Sequence, residues 1–250
     1  FVRWFAALAA GFAQNGAQVS AALAALTAKV FVTSRLFAGY SGALDAGVLA
    51  RLIAALPQGA PGATAAHKRY DAAACAVEIP ADVGFCALGH NLYALGSSYS
   101  GACPVLSSLV SYGYLWNMVR VQGGAYGTGM NVRRSGDIFC YSYRDPNLDN
   151  TRAVFSAVAD FIEDFAAQGM PLDDIIIGAV NTTDPLLDPA GVCESQCVRA
   201  LKGVTPEELA RTRHELLATK PADLAAMADV LRKYAREGKF CTFSGTNGGA

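Results

Sequence analysis

The run LWNMVRVQGGAYGTGMNVRRSGDIFCYSYRDPN, residues 115–147, constrains the fold more than any other stretch of the chain. A helix-like segment ends at Arg120, Gly123 and Gly124 break it, and Tyr126 opens a run of strand-forming residues. Glycine reaches the positive φ that such a helix stop needs, so the helix is expected to reverse directly into a strand. That reversal brings the tips of Arg120 and Tyr126 near one point. Beyond it, AYGTGMNVRR and DIFCYSYRD read as two strands separated by Ser135-Gly136, which suits a tight antiparallel turn.

The rest of the chain supplies elements to pack around this unit. Residues 1–26 are alanine-rich and read as a helix or a linker from a preceding domain, with Phe5, Leu8, Phe12, Val19, Leu23 and Leu26 on its apolar face. AKVFVTSR, 28–35, reads as a strand, 43–57 as a helix stopped by Pro57, and 58–66 as a loop. AAACAVEI and VGFCALGHNLY follow as two strands joined by Pro80-Ala81-Asp82, a hairpin-like signal. In 104–121 the apolar residues at 105, 109, 112, 116 and 119 predict a mostly buried helix with Pro104 in its first turn. After 147 the chain is mainly helical, over 148–168, 172–183, 191–202, 205–217 and 221–236, and KFCTFSG closes it as a strand. Thr205-Pro206-Glu207-Glu208 combines an N-cap, a first-turn proline and a glutamate at the capping-box position. Strands followed by runs of helices imply an α+β sandwich.

Composition bounds the function. The chain of 250 residues is 52% hydrophobic and 16% charged, enough to bury a large core. Twenty Lys and Arg against 21 Asp and Glu leave no field to recruit nucleic acid or an anionic membrane, and no apolar run reaches the roughly 20 residues that span a bilayer. Seven cysteines, odd in number and set in apolar runs, read as reduced core thiols of a cytoplasmic protein. Phe1 stands where a complete translated chain would carry methionine, so a piece of a longer protein is expected.

Few residues can carry chemistry. His67, His90 and His214 lack any His-x-x-Glu-His or His-Glu-x-x-His spacing, and Cys193 with Cys197 has no second pair to complete four ligands, so no metal site is expected. Gly123, Gly124, Gly127 and Gly129 follow a helix and enter a strand, the reverse of a dinucleotide loop. Ser41 and Ser98 miss the Gly-x-Ser-x-Gly elbow. Arg120 and Tyr126 remain. Arg120 could cap its helix while Tyr126 packs in a strand, or the two donors could converge on a substrate carbonyl, and spacing leaves both readings open.

The strings Arg120-Val121-Gln122-Gly123-Gly124-Ala125-Tyr126-Gly127 and Tyr141-Ser142-Tyr143-Arg144-Asp145-Pro146-Asn147 resemble the C-terminal portion of the presequence-protease family, within the pitrilysin/insulinase superfamily of zinc peptidases. Weaker likeness runs from about Ala28 through GHNLYALG, 89–96, to the final strand. The resemblance implies an antiparallel-rich sheet with helices packed on one face, over residues 27–250, as the C-terminal domain of a peptidase whose halves close a chamber around unfolded peptides. Zinc and its ligands would belong to the N-terminal half, and this chain would hold none. By the same resemblance Arg120 and Tyr126 are the catalytic contribution, donors to the substrate backbone and the oxyanion, while Gly123 and Gly124 present the backbone to substrate. The implied partners are peptides and the N-terminal half. A face left uncovered in the isolated fragment would let it pair with a second copy. Relatives of such peptidases that lose their zinc motif make a non-catalytic peptide-binding scaffold the alternative.

Overall fold

The computed structural model describes residues 2–59 and 73–245. In chain order its elements begin with α1 (Val2–Ala10), α2 (Phe12–Val30), a 3-10 turn (Thr33–Arg35) and α3 (Ala46–Ala55). β1 (Cys75–Glu78), β2 (Gly84–Asn91) and α4 (Ala102–Ser108) come next, and α4 runs on as a π-helical segment (Leu109–Gln122). Then follow β3 (Gly127–Val132), β4 (Asp137–Asp145), α5 (Leu148–Ser156), α6 (Val158–Ala167) and α7 (Asp173–Thr183). α8 (Pro189–Leu201), α9 (Pro206–Ala218), α10 (Pro221–Ala225), α11 (Ala228–Glu237) and β5 (Lys239–Ser244) complete the chain. His67 and most of the loop expected at 58–66 lie outside the described residues.

Side chains that accept the free N–H groups of a first turn set several helix starts. Asp45 accepts from Gly47 and Val48 ahead of α3, Asn147 from Asn150 at α5, Asp188 from Gly191 at α8 and Thr205 from Glu208 at α9. The capping box expected at α9 is only half made. The Glu208 carboxylate reaches Arg134 in the β3–β4 turn instead of returning to the Thr205 N–H.

The chain divides into two units, 1–69 with 187–202 and 70–186 with 203–250. In the first, neither α2, α3 nor α8 buries a residue, and Phe12, Leu23 and Leu26 of the expected apolar face are exposed. The strand expected at 28–35 does not form. α2 extends to Val30, with Lys29 in its last turn where a cation meets the helix dipole, and a 3-10 turn follows. Val and Phe favour a strand only where a neighbouring strand pairs with them, and among the described residues none pairs with this segment.

The second unit is an α+β sandwich around a five-stranded sheet in the order β1-β5-β2-β4-β3. Four of its strands pair antiparallel, but β1 lies parallel to β5, so the sheet is mixed. β1 and β2 therefore do not form the expected hairpin. β5 lies between them, and the link 79–83 steps over its width, roughly 10 Å for two strand spacings. Alternation then separates two faces. Cys86 and Leu88 of β2, Met130 and Val132 of β3, and Ile138, Cys140 and Ser142 of β4 are buried under the helices. Val105, Leu106, Leu109, Leu115 and Val119 of α4 and the π segment, Phe155, Ile162, Leu231 and Tyr234 complete this core. Tyr234 ties α11 to the sheet, because its hydroxyl accepts from the Cys140 N–H at 2.8 Å and donates to the Leu88 carbonyl at 2.7 Å. The other face is open, and Tyr141, Tyr143 and Phe243 are exposed on it.

Candidate functional site

Helix geometry decides what the central segment shows to solvent. The expected apolar set included Tyr112 and Trp116, yet Tyr112 is 70% and Trp116 41% exposed, whereas Val110 and Leu115 are fully buried. The π segment closes i to i+5 hydrogen bonds, and its buried residues are Leu109 and then Val110, Leu115 and Val119, at intervals of five and four. Trp116 and Arg120 are thereby turned outward together, and the Arg120 guanidinium stacks 3.9 Å from the centre of the Trp116 ring. Tyr112 lies beside Trp116 with ring centres 6.4 Å apart.

Two glycines stop the segment for two different reasons. At Gly123 a Cβ would stand 2.5 Å from the Val119 carbonyl oxygen, inside contact distance. Gly124 has φ +81, the left-handed region that other residues enter at a cost. The stop is sealed by the Gly124 N–H donating to the Arg120 carbonyl at 3.0 Å and the Ala125 N–H to Val119 at 3.1 Å. Tyr126 then enters the sheet edge, its N–H donating to the Tyr143 carbonyl at 3.1 Å and to Arg144 at 3.3 Å.

The result is one exposed patch. The Arg120 guanidinium lies 6.0 Å from the Tyr126 ring, and Tyr126 is 63% exposed. Tyr143 meets Tyr126 edge to face at 5.6 Å, and Phe85 meets Tyr143 at 5.4 Å. The Arg144 guanidinium also lies 6.0 Å from the Tyr126 ring and 5.9 Å from that of Tyr143. Among the described residues neither guanidinium has a carboxylate or hydrogen-bond partner, and the Tyr126 hydroxyl has none either. The patch thus presents two cations and a phenol whose donor capacity is unspent.

The sequence reading brings Arg120, Gly123, Gly124 and Tyr126 together, but it sets Trp116 in the buried helix face, Tyr143 in a strand and Arg144 in a turn, with no site role for any of the three. Tyr141 and Tyr143 do share one strand face, and Asn147 does cap the next helix. His90 accepts from the Asn91 N–H at 2.8 Å, and Asn91 caps the turn after β2 through the N–H groups of Tyr93 and Ala94. His214 is exposed on α9.

Other features fix what the unit can offer elsewhere. A hollow of about 710 Å³ at the ends of β1, β2 and β5 is lined by Glu78, Asp82 and Asp145 and excludes Arg120 and Tyr126. Among the described residues no three His, Cys, Asp or Glu side chains gather as a metal site, so zinc finds no fitting ligand set there. Burial pushes the Cys86 thiol up to about 11 and the Cys140 thiol to about 12. No helix among the described residues is long and apolar enough to cross a membrane.

The family model described as PreP C-terminal domain matches residues 75–243. Presequence protease 1, chloroplastic/mitochondrial, of Arabidopsis thaliana is 34% identical over 157 residues, 62% of this chain and 14% of that protein. Protein HypA of Clostridium perfringens is 31% identical over 160 residues, 64% of this chain and 16% of that protein. The chain therefore spans only a small part of the length of these curated relatives. A solved peptidase M16 inactive domain from Pseudomonas fluorescens superposes with a TM-score of 0.55 at 13% identity, covering 82% of this chain and 51% of that one, which shows a shared fold. Because the matched residues take in the whole of the sheet core, the glycine stop, Arg120 and Tyr126, the chain belongs to the PreP C-terminal domain family.

Proposed function

We infer that this chain is the C-terminal part of a peptide-cleaving enzyme and lends Arg120 and Tyr126 to the substrate. One observation carries this reading. The glycine stop delivers a guanidinium and a phenol to a single exposed patch where neither spends its donors within the protein. A cationic donor and a neutral donor of this kind can hold a peptide carbonyl and stabilise the negative oxygen that develops as the carbonyl is attacked. Gly123 and Gly124 let the backbone turn tightly enough to aim both. The Trp116 face holds the Arg120 guanidinium in place, which limits the freedom lost when substrate arrives.

The reading assigns zinc, as Lewis acid and source of the nucleophile, to the N-terminal half of the parent protein. A chamber closed by both halves would exclude water and strengthen each donor. The isolated chain would be inactive. Its seven free cysteines suit a reducing compartment, and cytoplasm is the one we favour. The homodimer expected of the fragment has no support among the relatives.

The test uses the full-length parent. Arg120→Ala and Tyr126→Phe are each expected to lower kcat about 100-fold with thermal stability unchanged. Wild-type turnover in both variants would remove the assigned roles. A His-x-x-Glu-His helix encoded upstream of this chain separates the peptidase from a non-catalytic peptide-binding homologue, which would lack it.

A further inference from the structure

Arg144 sits where an arginine is out of place. Its φ is +50, and among the described residues no other non-glycine residue has a positive φ. The reason is a β-bulge. Across β2 and β4, Phe85 pairs with Tyr143 and Gly84 with Asp145, so Arg144 is the extra residue, opposite no partner. A bulge whose first residue is left-handed favours glycine, which makes the same corner without strain.

The bulge changes which way the side chain points. Along β4 the even positions Ile138, Cys140 and Ser142 are buried and the odd positions Tyr141 and Tyr143 are exposed. Continued alternation would send Arg144 into the core. Instead Tyr143 and Arg144 are both exposed, and burial resumes at Asp145, which is 1% exposed. Asp145 pins the corner by accepting from the Asn147 N–H at 2.8 Å and from the Thr151 hydroxyl at 2.6 Å. The Arg144 carbonyl also receives the Tyr126 N–H. The corner that carries Arg144 is therefore bonded directly to the residue that carries the phenol.

The aromatic contacts do not account for an arginine here. At 5.9 and 6.0 Å from two exposed rings they lie at the edge of cation–π range, and they return less than a left-handed arginine costs. The side chain has no acidic partner among the described residues. What the substitution of arginine for glycine adds is a second free guanidinium, as far from the Tyr126 ring as that of Arg120. A second cation within 6.0 Å of the same ring favours an anion beside it, and guanidinium binds carboxylate best.

We propose that Arg144 is a further peptide-binding residue, re-aimed by the β4 bulge to take a carboxylate of the bound peptide beside the Arg120–Tyr126 pair. This rests on the reading of that pair as a peptide site. Two sources of carboxylate fit, an acidic side chain or the peptide's own C-terminus.

The experiment compares matched fluorogenic peptides on the full-length parent, one bearing glutamate and a free C-terminus, one glutamine in its place, one amidated and one with both changes. Arg144→Gly removes the guanidinium and suits the left-handed backbone, so the protein should fold with equal or higher Tm. It is expected to raise KM about tenfold for the carboxylate-bearing peptide and to leave the doubly neutral peptide within about twofold, with kcat unchanged for both. Arg144→Lys should recover part of the loss. Whether the glutamine or the amide abolishes the difference identifies the carboxylate. Equal KM for all four peptides in wild type and Arg144→Gly, or a loss shared equally by the neutral peptide, would overturn the proposal. Failure of the underlying reading shows differently, as unchanged kcat on the neutral peptide in Arg120→Ala and Tyr126→Phe.

Discussion

Gly124→Ala separates the aiming of the site from the stability of the fold. Gly124 holds φ +81 with open space around its Cα except for Pro146, 3.4 Å from where a Cβ would stand. An alanine forced into this region costs about 1–2 kcal/mol, and the smaller entropy of its unfolded chain returns about 0.4–1 kcal/mol. The net loss is about 1 kcal/mol, a fall in Tm of about 2–4 °C for a unit of this size, readable by calorimetry on the chain. On the proposed reading of Arg120 and Tyr126, turnover of the full-length parent should fall much further. Relief of the strain rotates the Ala125 N–H away from the Val119 carbonyl and the Tyr126 N–H away from the Tyr143 and Arg144 carbonyls, and a displacement of about 1 Å at a reacting group costs about 100-fold. Gly124→Asn is the control, because asparagine enters the left-handed region readily, and it should keep most of the turnover. An alanine variant that loses stability but turns over peptide like wild type would refute the argument that the stop aims the donors. Equal damage from asparagine and alanine would refute the role of the positive φ.

Two further predictions follow from the core. Tyr234→Phe leaves the buried Cys140 N–H and Leu88 carbonyl without the hydroxyl that joins them, and should cost about 1–3 kcal/mol in urea denaturation; an unchanged midpoint would mean that the strands close up and bond directly. Alkylation of the native chain at pH 8 should tag exposed Cys75 first and spare Cys86, Cys103 and Cys140, whose thiols burial pushes up, until the fold is opened; mass spectrometry showing Cys140 modified in the native state would contradict the packing.

The parts of this fold that were legible in the sequence are those specified by neighbours along the chain. Thr205-Pro206 and Asn147 announce helix starts because a cap acts within one turn, and Ser135-Gly136 announces the β3–β4 turn because a hairpin closes locally. The insertion of β5 between β1 and β2 was not legible, since pairing across more than a hundred residues leaves no local trace. The VFV run at 30–32 carries strand-forming residues but ends a helix, and only the missing partner strand explains why.

The site divides along the same line. Arg120, Gly123, Gly124 and Tyr126 were readable because a glycine stop determines geometry within a few residues. Trp116 was misplaced because a 3.6-residue period was assumed where the segment is π-helical, as the packing of Leu109, Val110, Leu115 and Val119 shows. Arg144 did leave a signal. In DIFCYSYRD the residues at 138, 140 and 142 are the small or apolar set, so strict alternation assigns Arg144 to the core, where an arginine without a partner is expensive. A charged residue at an inward position means that the alternation has broken, and a β-bulge is the commonest way to break it in an antiparallel pair. The conflict between period and chemistry, visible in nine residues of β4, thus marks the place where the strand turns a side chain out to solvent.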